Sequence, residues 1–423
     1  MITNYQKAES FLNSFINYEK VPFFPYAQSL KLKQVYLLFN CLKIPYKKLR
    51  VIHIAGTKGK GSTASFCTAL LTASGYKVGL YTSPHFFDFR ERIKIGTKDK
   101  IPQKDLVRIL EEFRKKLEEI NLSKITFFEI TTALAFKYFL EQKVDYAVLE
   151  TGLGGRLDAT NISKSILSII THISYDHTHL LGRKLSQITK EKAGIIKPNV
   201  PLVCSRQNPV CLKVIKAKAK NSKTYVLGQD FKPENIRLKK DYTLFDFKFN
   251  RRKLKDLRIK LKGKHQVENA CLALAGVSLL EDKIKVKAGL KNCSLEGRFE
   301  IIKKKPLIIA DIAHNFSSFS VLRKSLELYF PGKKIILIFG CSEDKDAQAM
   351  LKEINYSSLI LTKSTNLRAS DPKRIKRVGS LSQAYIMGNV KAAIEKALKL
   401  YRKDCLILVS GSLFLVAEAK KHA

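Results

Sequence analysis

The chain has 423 residues, enough for two domains with separate cores, and 45% of them are hydrophobic, an ordinary share for a soluble protein. Its 77 basic residues against 37 acidic ones leave a formal charge of +40, but the excess is mostly lysine spread along the chain, and no homeodomain, zinc-finger or RNP-type motif accompanies it. That pattern speaks against nucleic-acid binding as the main function and fits a solvated surface that draws anionic substrates. No apolar stretch approaches membrane-spanning length, and no basic segment leads into an apolar run at the start, so neither a membrane partner nor a secretory signal is expected. The eight cysteines form no Cys-x-x-Cys pair, which predicts reduced, mostly buried thiols in a cytoplasm.

Residues 1–48 read as a helical lead-in. Tyr5 to Tyr18 carries apolar Phe11, Leu12, Phe15 and Ile16, and Leu30 to Leu42 repeats the pattern around a proline-rich link that holds Pro22 and Pro25. Val51 to Ala55 then reads as a buried parallel strand, and Ala64 to Ala73 as a helix. Between them Gly56-Thr57-Lys58-Gly59-Lys60-Gly61-Ser62 supplies glycines for a tight turn, a lysine for phosphate charge and a helix N-terminus behind. A glycine-rich turn in an ordinary sheet is the plain alternative. Strand, loop, lysine and helix in this order favour a mononucleotide cradle. In the common phosphate loop a Ser or Thr follows the lysine and holds Mg²⁺. Gly61 takes that place here, so either Ser62 substitutes or another loop supplies the hydroxyl, with Thr82-Ser83-Pro84-His85 the obvious candidate.

Further strands are predicted at 77–81, 145–150, 166–172 and 201–204, with helices near 104–120, 128–142, 183–195 and 208–219. This alternation argues for a doubly wound, mostly parallel sheet covered on both faces, with ligands beyond the carboxyl ends of its strands. Glu150 ends an apolar strand at that rim, where a carboxylate can hold Mg²⁺ against phosphates. Residues 224–261 alternate in a way that predicts a small antiparallel insertion, and 265–280 returns to helix. Near 294–297 the alternation restarts, with strands at 307–312, 334–339, 359–362 and 405–409 and helices near 316–328, 344–352, 389–402 and 412–421. The expected architecture is α/β: a P-loop domain over 1–296 and a smaller Rossmann-like α/β domain over 297–423.

Several stretches carry a resemblance. Gly56–Ser62 followed by Tyr81-Thr-Ser-Pro-His, then Glu150-Thr-Gly-Leu-Gly-Gly-Arg-Leu-Asp158-Ala159-Thr-Asn161, Asp176-His177, Glu191-Lys192-Ala-Gly, Gly297-Arg298-Phe, Asp311-Ile-Ala-His314-Asn315 and Ser410-Gly411-Ser412-Leu-Phe414 stand in the order found in one family. The chain resembles the folylpolyglutamate synthase/dihydrofolate synthase family of the Mur ligase superfamily over nearly its whole length. The resemblance implies an ATP-dependent ligase that joins L-glutamate to dihydropteroate or to the glutamate of a tetrahydrofolate through an acyl phosphate. The presence of Thr126, Phe128, Asp158 and Ala159, which match positions lining the pterin pocket, predicts both activities in one chain, with Asp158→Ala harming the dihydropteroate reaction more.

The same resemblance implies roles residue by residue. Ser83, Glu150 and His177 would hold Mg²⁺, and Lys192, as a carbamate, a second Mg²⁺. Asn269, Arg298 and Asp311 match ATP contacts, with Arg298 acting on the γ-phosphate on closure. Asp311, His314, Gly411, Ser412 and Phe414 match the glutamate site, although Phe414 stands where the family often has tyrosine and supplies no hydroxyl. Lys60, Lys192, Arg298 and His314 are the expected catalytic set, with ATP as co-substrate and a monomer as the expected state. Two rivals stand beside this reading. One is a peptidoglycan-type Mur ligase, disfavoured by Gly61 and the Gly155–Asn161 run. The other is a nucleic-acid-stimulated P-loop ATPase, which leaves the Asp311–His314 loop unexplained.

Overall fold

The computed structural model describes residues 1–19, 21, 24–118, 125–239, 241–293, 295–379 and 381–423. Pro22, the end of the helix expected over 104–120, and Ser294 lie outside them. The chain divides into two compact units, one reaching to residue 294 and the other built on Leu295–Ala423.

The first unit is centred on eight strands: β1 Val51–Ala55, β2 Val78–Tyr81, β3 Ile93–Ile95, β4 Asp99–Lys100, β5 Tyr146–Glu150, β6 Ser165–Ile170, β7 Leu202–Cys204 and β8 Thr224–Val226. Their order is β4-β3-β2-β5-β1-β6-β7-β8. From β2 to β8 the pairing is parallel, and β3 and β4 add an antiparallel edge. Every residue of β1 and β5 is buried, as expected of strands covered by helices on both faces. The chain leaves β1 for β2 on one side and later crosses to β6 on the other. The carboxyl ends of β5, β1 and β6 are therefore neighbours at the place where the strand order reverses, the usual ligand position in such sheets.

Helix Lys60–Ala73 follows β1, and Ser62 to Leu71 are buried along it without a break, so it is an interior helix. Helix Lys264–Ser278 packs on it and is buried on most faces itself. Gln103–Glu118 shows the contrasting pattern of a surface helix. It buries Leu106, Ile109, Leu110 and Phe113, spaced three, one and three residues apart, and leaves its charged face to solvent. The lead-in helices Tyr5–Asn13 and Leu32–Cys41 bury Ala8, Leu12, Val35, Leu38 and Phe39 in the same core.

The structure departs from the sequence reading in several places. The first helix stops at Asn13 rather than Tyr18. The Ser14 hydroxyl donates back to the Phe11 carbonyl and the Asn17 side chain accepts from the Glu19 N–H, so both compete with helical bonding. Thr224–Val226 joins the parallel sheet as β8, and the antiparallel sheet is confined to β9 Phe231–Leu238, β10 Thr243–Phe249 and β11 Arg252–Ile259. The helix after the phosphate loop begins at Lys60, four residues earlier than expected, with Gly59 as its N-cap.

The second unit carries β12 Glu300–Lys303, β13 Ile308–Asp311, β14 Lys334–Phe339, β15 Ser358–Leu361, β16 Tyr385–Ile386 and β17 Cys405–Ser410, in the order β12-β13-β17-β14-β15-β16. Only β12 pairs antiparallel. Asp311 and Ser410 are register partners, so the carboxyl ends of β13 and β17 lie side by side. Among the described residues no helix is long and apolar enough to cross a membrane.

Candidate active site

The phosphate loop is held by backbone bonds to the segment that follows β6. The Thr57 and Lys58 N–H groups both donate to the His172 carbonyl, at 2.9 and 3.1 Å, and the Thr57 hydroxyl bonds with Ser174. Two glycines are required by this packing. Gly56 has a φ of +152°, and a Cβ there would fall 1.9 Å from the Thr171 hydroxyl. Gly59 has a φ of +86°, in the left-handed region, with the Asn269 amide 2.3 Å from where its Cβ would be. Asn269 is thus brought directly against the loop.

Three cationic side chains gather around that turn. Lys60 Nζ lies 3.9 Å from Glu150 Oε1, with both side chains mostly buried. Lys58 Nζ is buried with no hydrogen-bond partner, and burial pushes its pKa down to about 8 against the opposing pull of Asp176. Lys192 is buried, donates to the Gly56 carbonyl at 2.9 Å, and is pushed down to about 7, by burial first and by neighbouring Lys60 second. A buried ammonium without an acceptor is costly, so this loop fits an anion such as a phosphate chain.

Glu150 ends β5 at the same rim and is 6% exposed. Its Oε2 accepts from the Ser83 N–H at 3.3 Å, which places the Ser83 loop beside the carboxylate. The departure at Gly61 now has a physical reason: a Cβ there would lie 3.3 Å from Glu150 Oε2, too close for the carboxylate to stay put. A side chain after the lysine would crowd that carboxylate. Magnesium takes one or two carboxylates together with phosphate oxygens and water, and a lone glutamate beside Ser83 and a phosphate cradle fits that need. Among the described residues no three His, Cys, Asp or Glu side chains converge to hold a metal. His177 follows Asp176 on the segment that grips the loop and stands in the left-handed region at φ +49°.

The residues expected around a pterin divide. Phe128 is half-buried and lies against Gly152, whose Cβ would meet the ring at 2.7 Å. Thr126 is instead the N-cap of helix Phe127–Glu141, in a reciprocal pair with Glu129, and Ala159 is buried in the core. Asp158 is buried, with one oxygen accepting from the Gly152 and Leu153 N–H groups and the other from the Thr160 N–H and hydroxyl. A carboxylate so engaged shapes the loop after Glu150, with its four hydrogen bonds all made within the chain.

A residue not singled out from the sequence stands behind Ser83. Arg92 is 1% exposed, pairs through both terminal nitrogens with Glu19 at 2.8 and 2.6 Å, and donates from Nε to His85 Nδ1 at 2.8 Å. Burial, and Arg92 after it, push His85 down to about 4, so the ring is neutral and accepts at Nδ1. In sequence Arg92 is one basic residue among many, and only its burial distinguishes it.

The second unit holds the other expected residues. The Asp311 carboxylate accepts from the Phe299 and Ala313 N–H groups, each at 2.8 Å; burial raises its pKa while Arg298 and His314 oppose the rise. His314 Nδ1 lies 3.0 Å from the Ile312 carbonyl, so Nδ1 carries the proton and, in the neutral ring, Nε2 the lone pair. The Gly411 N–H donates to the Ala313 carbonyl, and Ser412 caps helix Leu413–His422 by accepting from the Phe414 N–H. Arg298, Asp311, His314, Gly411 and Ser412 therefore share the carboxyl ends of β13 and β17. Phe414, in the first turn of that helix, is half-buried.

The comparisons agree with this organisation. Residues 54–277 match the Mur ligase middle domain, and residues 297–413 match the Mur ligase glutamate ligase domain. A dihydrofolate synthase/folylpolyglutamate synthase from Bacillus subtilis is 32% identical over the full length of both chains. A folylpolyglutamate synthase from Mycobacterium tuberculosis complexed with ADP superposes with a TM-score of 0.90 at 27% identity, covering 99% of this chain and 97% of that one. An FPGS–AMPPCP–folate complex superposes at 0.83 with 27% identity, covering 99% of both chains. Fold and phosphate loop together define a Mur-type ligase. Within that class, the chain belongs to the folylpolyglutamate synthase/dihydrofolate synthase family.

Proposed function

We propose that this chain uses ATP to join L-glutamate to dihydropteroate and to the glutamate of tetrahydrofolates. The observation that carries the reading is the mostly buried pair Lys58 and Lys60 at a glycine loop, with the Glu150 carboxylate at its edge and Lys192 held on the Gly56 carbonyl. Anions must meet there for the chemistry to start. A carboxylate oxygen of the pterin substrate attacks the γ-phosphorus of ATP, ADP leaves, and an acyl phosphate remains. The glutamate amine then attacks the acyl carbon, and inorganic phosphate departs. The protein positions the anions and neutralises their charge before the reaction begins.

Lys60 and the loop N–H groups take the phosphates, and Asn269 braces the loop at Gly59. Ser83, Glu150 and His177 would hold Mg²⁺, which when bound supplies positive charge between the reacting anions. Lys192 is suited to become a carbamate, because its depressed pKa leaves a neutral amine near pH 7 and that amine is the form that reacts with CO₂. As a carbamate it would serve a second Mg²⁺. Phe128 is the stacking surface for a pterin ring, and Asp158 acts by holding the Gly152–Leu153 turn. To the second unit we assign Arg298 for phosphate, and Asp311, His314, Gly411, Ser412 and the Phe414 turn for the incoming glutamate. The test is amide formation by the purified chain with ATP, glutamate and each pterin. Product from tetrahydrofolate alone limits it to glutamate addition, and product from dihydropteroate alone limits it to the synthase step.

A further inference from the structure

A second concave surface lies at the opposite end of the first unit's sheet. It is a cleft of about 570 Å³ where the chain enters β1, β6 and β7. The single turn Tyr46–Lys48 precedes β1, Ser163 and Ser165 lead into β6, and Lys197 precedes β7. Ser165 and Val51, the first residues of their strands, are register partners. The phosphate loop, Glu150 and the segment Thr171–His177 leave from the other ends of these strands, so the cleft is separate from the site described above.

Its lining has the marks of a ligand site. The hydroxyls of Ser163 and Ser165 are buried without a hydrogen-bond partner, on residues 2% and 5% exposed. Buried hydroxyls are normally paired, and these two border the cleft with no partner within the chain. Lys47, Lys164 and Lys197 supply charge, and Lys197 gives two of its three donors to Asn161. All the lining residues come from sequence runs 20–87, 159–175 and 192–229, none of which contains an Asp or Glu. Those runs bring no carboxylate to balance the lysines. Tyr36 and Tyr46 form the remaining wall, with ring centroids 6.2 Å apart at 59°, and Lys47 Nζ stands 5.9 Å from the Tyr46 ring.

We propose that this cleft is a second binding site for a small polyanion that carries a planar ring. The ring packs on Tyr36 and Tyr46, and the phosphates or carboxylates meet the three lysines and the two serine hydroxyls. Two sources share this chemistry, a nucleotide and a pterin bearing glutamates. The proposal stands apart from the ligase reading, because it rests on no residue assigned to that site.

The full chain is titrated calorimetrically with GMP, folyl diglutamate, pyrophosphate and a single-stranded RNA oligonucleotide, in parallel with a variant altered only in the cleft. A ringed ligand is expected to show a site that weakens roughly ten- to a hundredfold in the Lys47→Glu/Lys164→Glu variant, both positions being exposed. GMP alone showing that site identifies the nucleotide source, and folyl diglutamate alone identifies the pterin source. Ser165→Ala is expected to weaken the same binding while leaving the Tm of the unliganded chain unchanged or higher. Three results would overturn the proposal: no ringed ligand with a site lost in the double variant, pyrophosphate binding as tightly as the ringed ligands, or variant-sensitive binding of RNA alone.

Discussion

The two walls around Glu150 differ in how well their polar groups are satisfied. On the phosphate side Lys58 is buried and unpartnered, Lys60 reaches Glu150 only at 3.9 Å, and Lys192 is held by one carbonyl. On the pterin side Asp158 accepts four hydrogen bonds, Thr126 caps a helix and Ala159 sits in the core. Polar groups prepared for a ligand stay poorly satisfied without it, whereas groups that build the wall are already paired. A matching motif position does not tell the two apart. On this contrast we propose direct ligand contact for the first set and support for most of the second.

The largest effect expected from this contrast is at the phosphate loop. Lys60→Ala should lower turnover on the order of 10²–10³-fold while urea unfolding stays near that of the unchanged chain, since the lysine holds ligand and packs little. Near-normal turnover would remove the loop from the chemistry. Lys192→Ala should also lose most activity, and acetate should restore part of it if a carboxylate is what the position supplies. The unchanged chain should lose its bicarbonate-dependent activity as pH falls through about 7, where the amine becomes protonated. The linkage has a definite sign. The folded pKa lies below the unfolded one, so protonated Lys192 disfavours the fold. That penalty is absent above the unfolded lysine value, grows as pH falls, and is complete below about 7. Lys192→Met should therefore flatten the fall in stability over that range, read as Tm against pH.

A smaller effect is expected on the pterin wall. Asp158→Asn puts an amide where four donors converge and should destabilise the chain by about 1–3 kcal/mol. Both ligase reactions should then decline together; selective loss of the dihydropteroate reaction would return Asp158 to direct pterin contact. The smallest effect on stability is expected at Gly61, in the first turn of its helix. Gly61→Ala should leave stability equal or raise it by up to about 1 kcal/mol through helix propensity, yet lower turnover by crowding Glu150. Thermal unfolding and steady-state rates read the two outcomes separately.

Much of the scaffold was legible because the signals were local. Apolar runs marked β1, where only His53 interrupts, and β5, and glycines with Lys60 marked the phosphate loop. The features that escaped depend on long-range pairing. β8 is three residues long and is recruited by β7, while the β3–β4 edge exists because β3 pairs with β2. The burial of Arg92 and the hydrogen bonds of Asp158, a residue the sequence did single out, escaped for a related reason. The roles of both residues are set by partners such as Gly152 and Glu19, and nothing in an aspartate or arginine letter reveals burial. Gly61 shows the reverse case, an oddity visible in sequence whose cause, the nearby Glu150 carboxylate, needed the fold.

The account rests on the joining of an amide to ATP cleavage. The direct measurement incubates the purified chain with Mg²⁺, ATP, L-glutamate and either dihydropteroate or tetrahydrofolate, and counts ADP and amide product in the same sample. The account predicts one ADP for each amide formed, little ADP without a pterin, and loss of both products in Lys60→Ala. ADP released without amide, at a rate indifferent to pterin and glutamate, would contradict it.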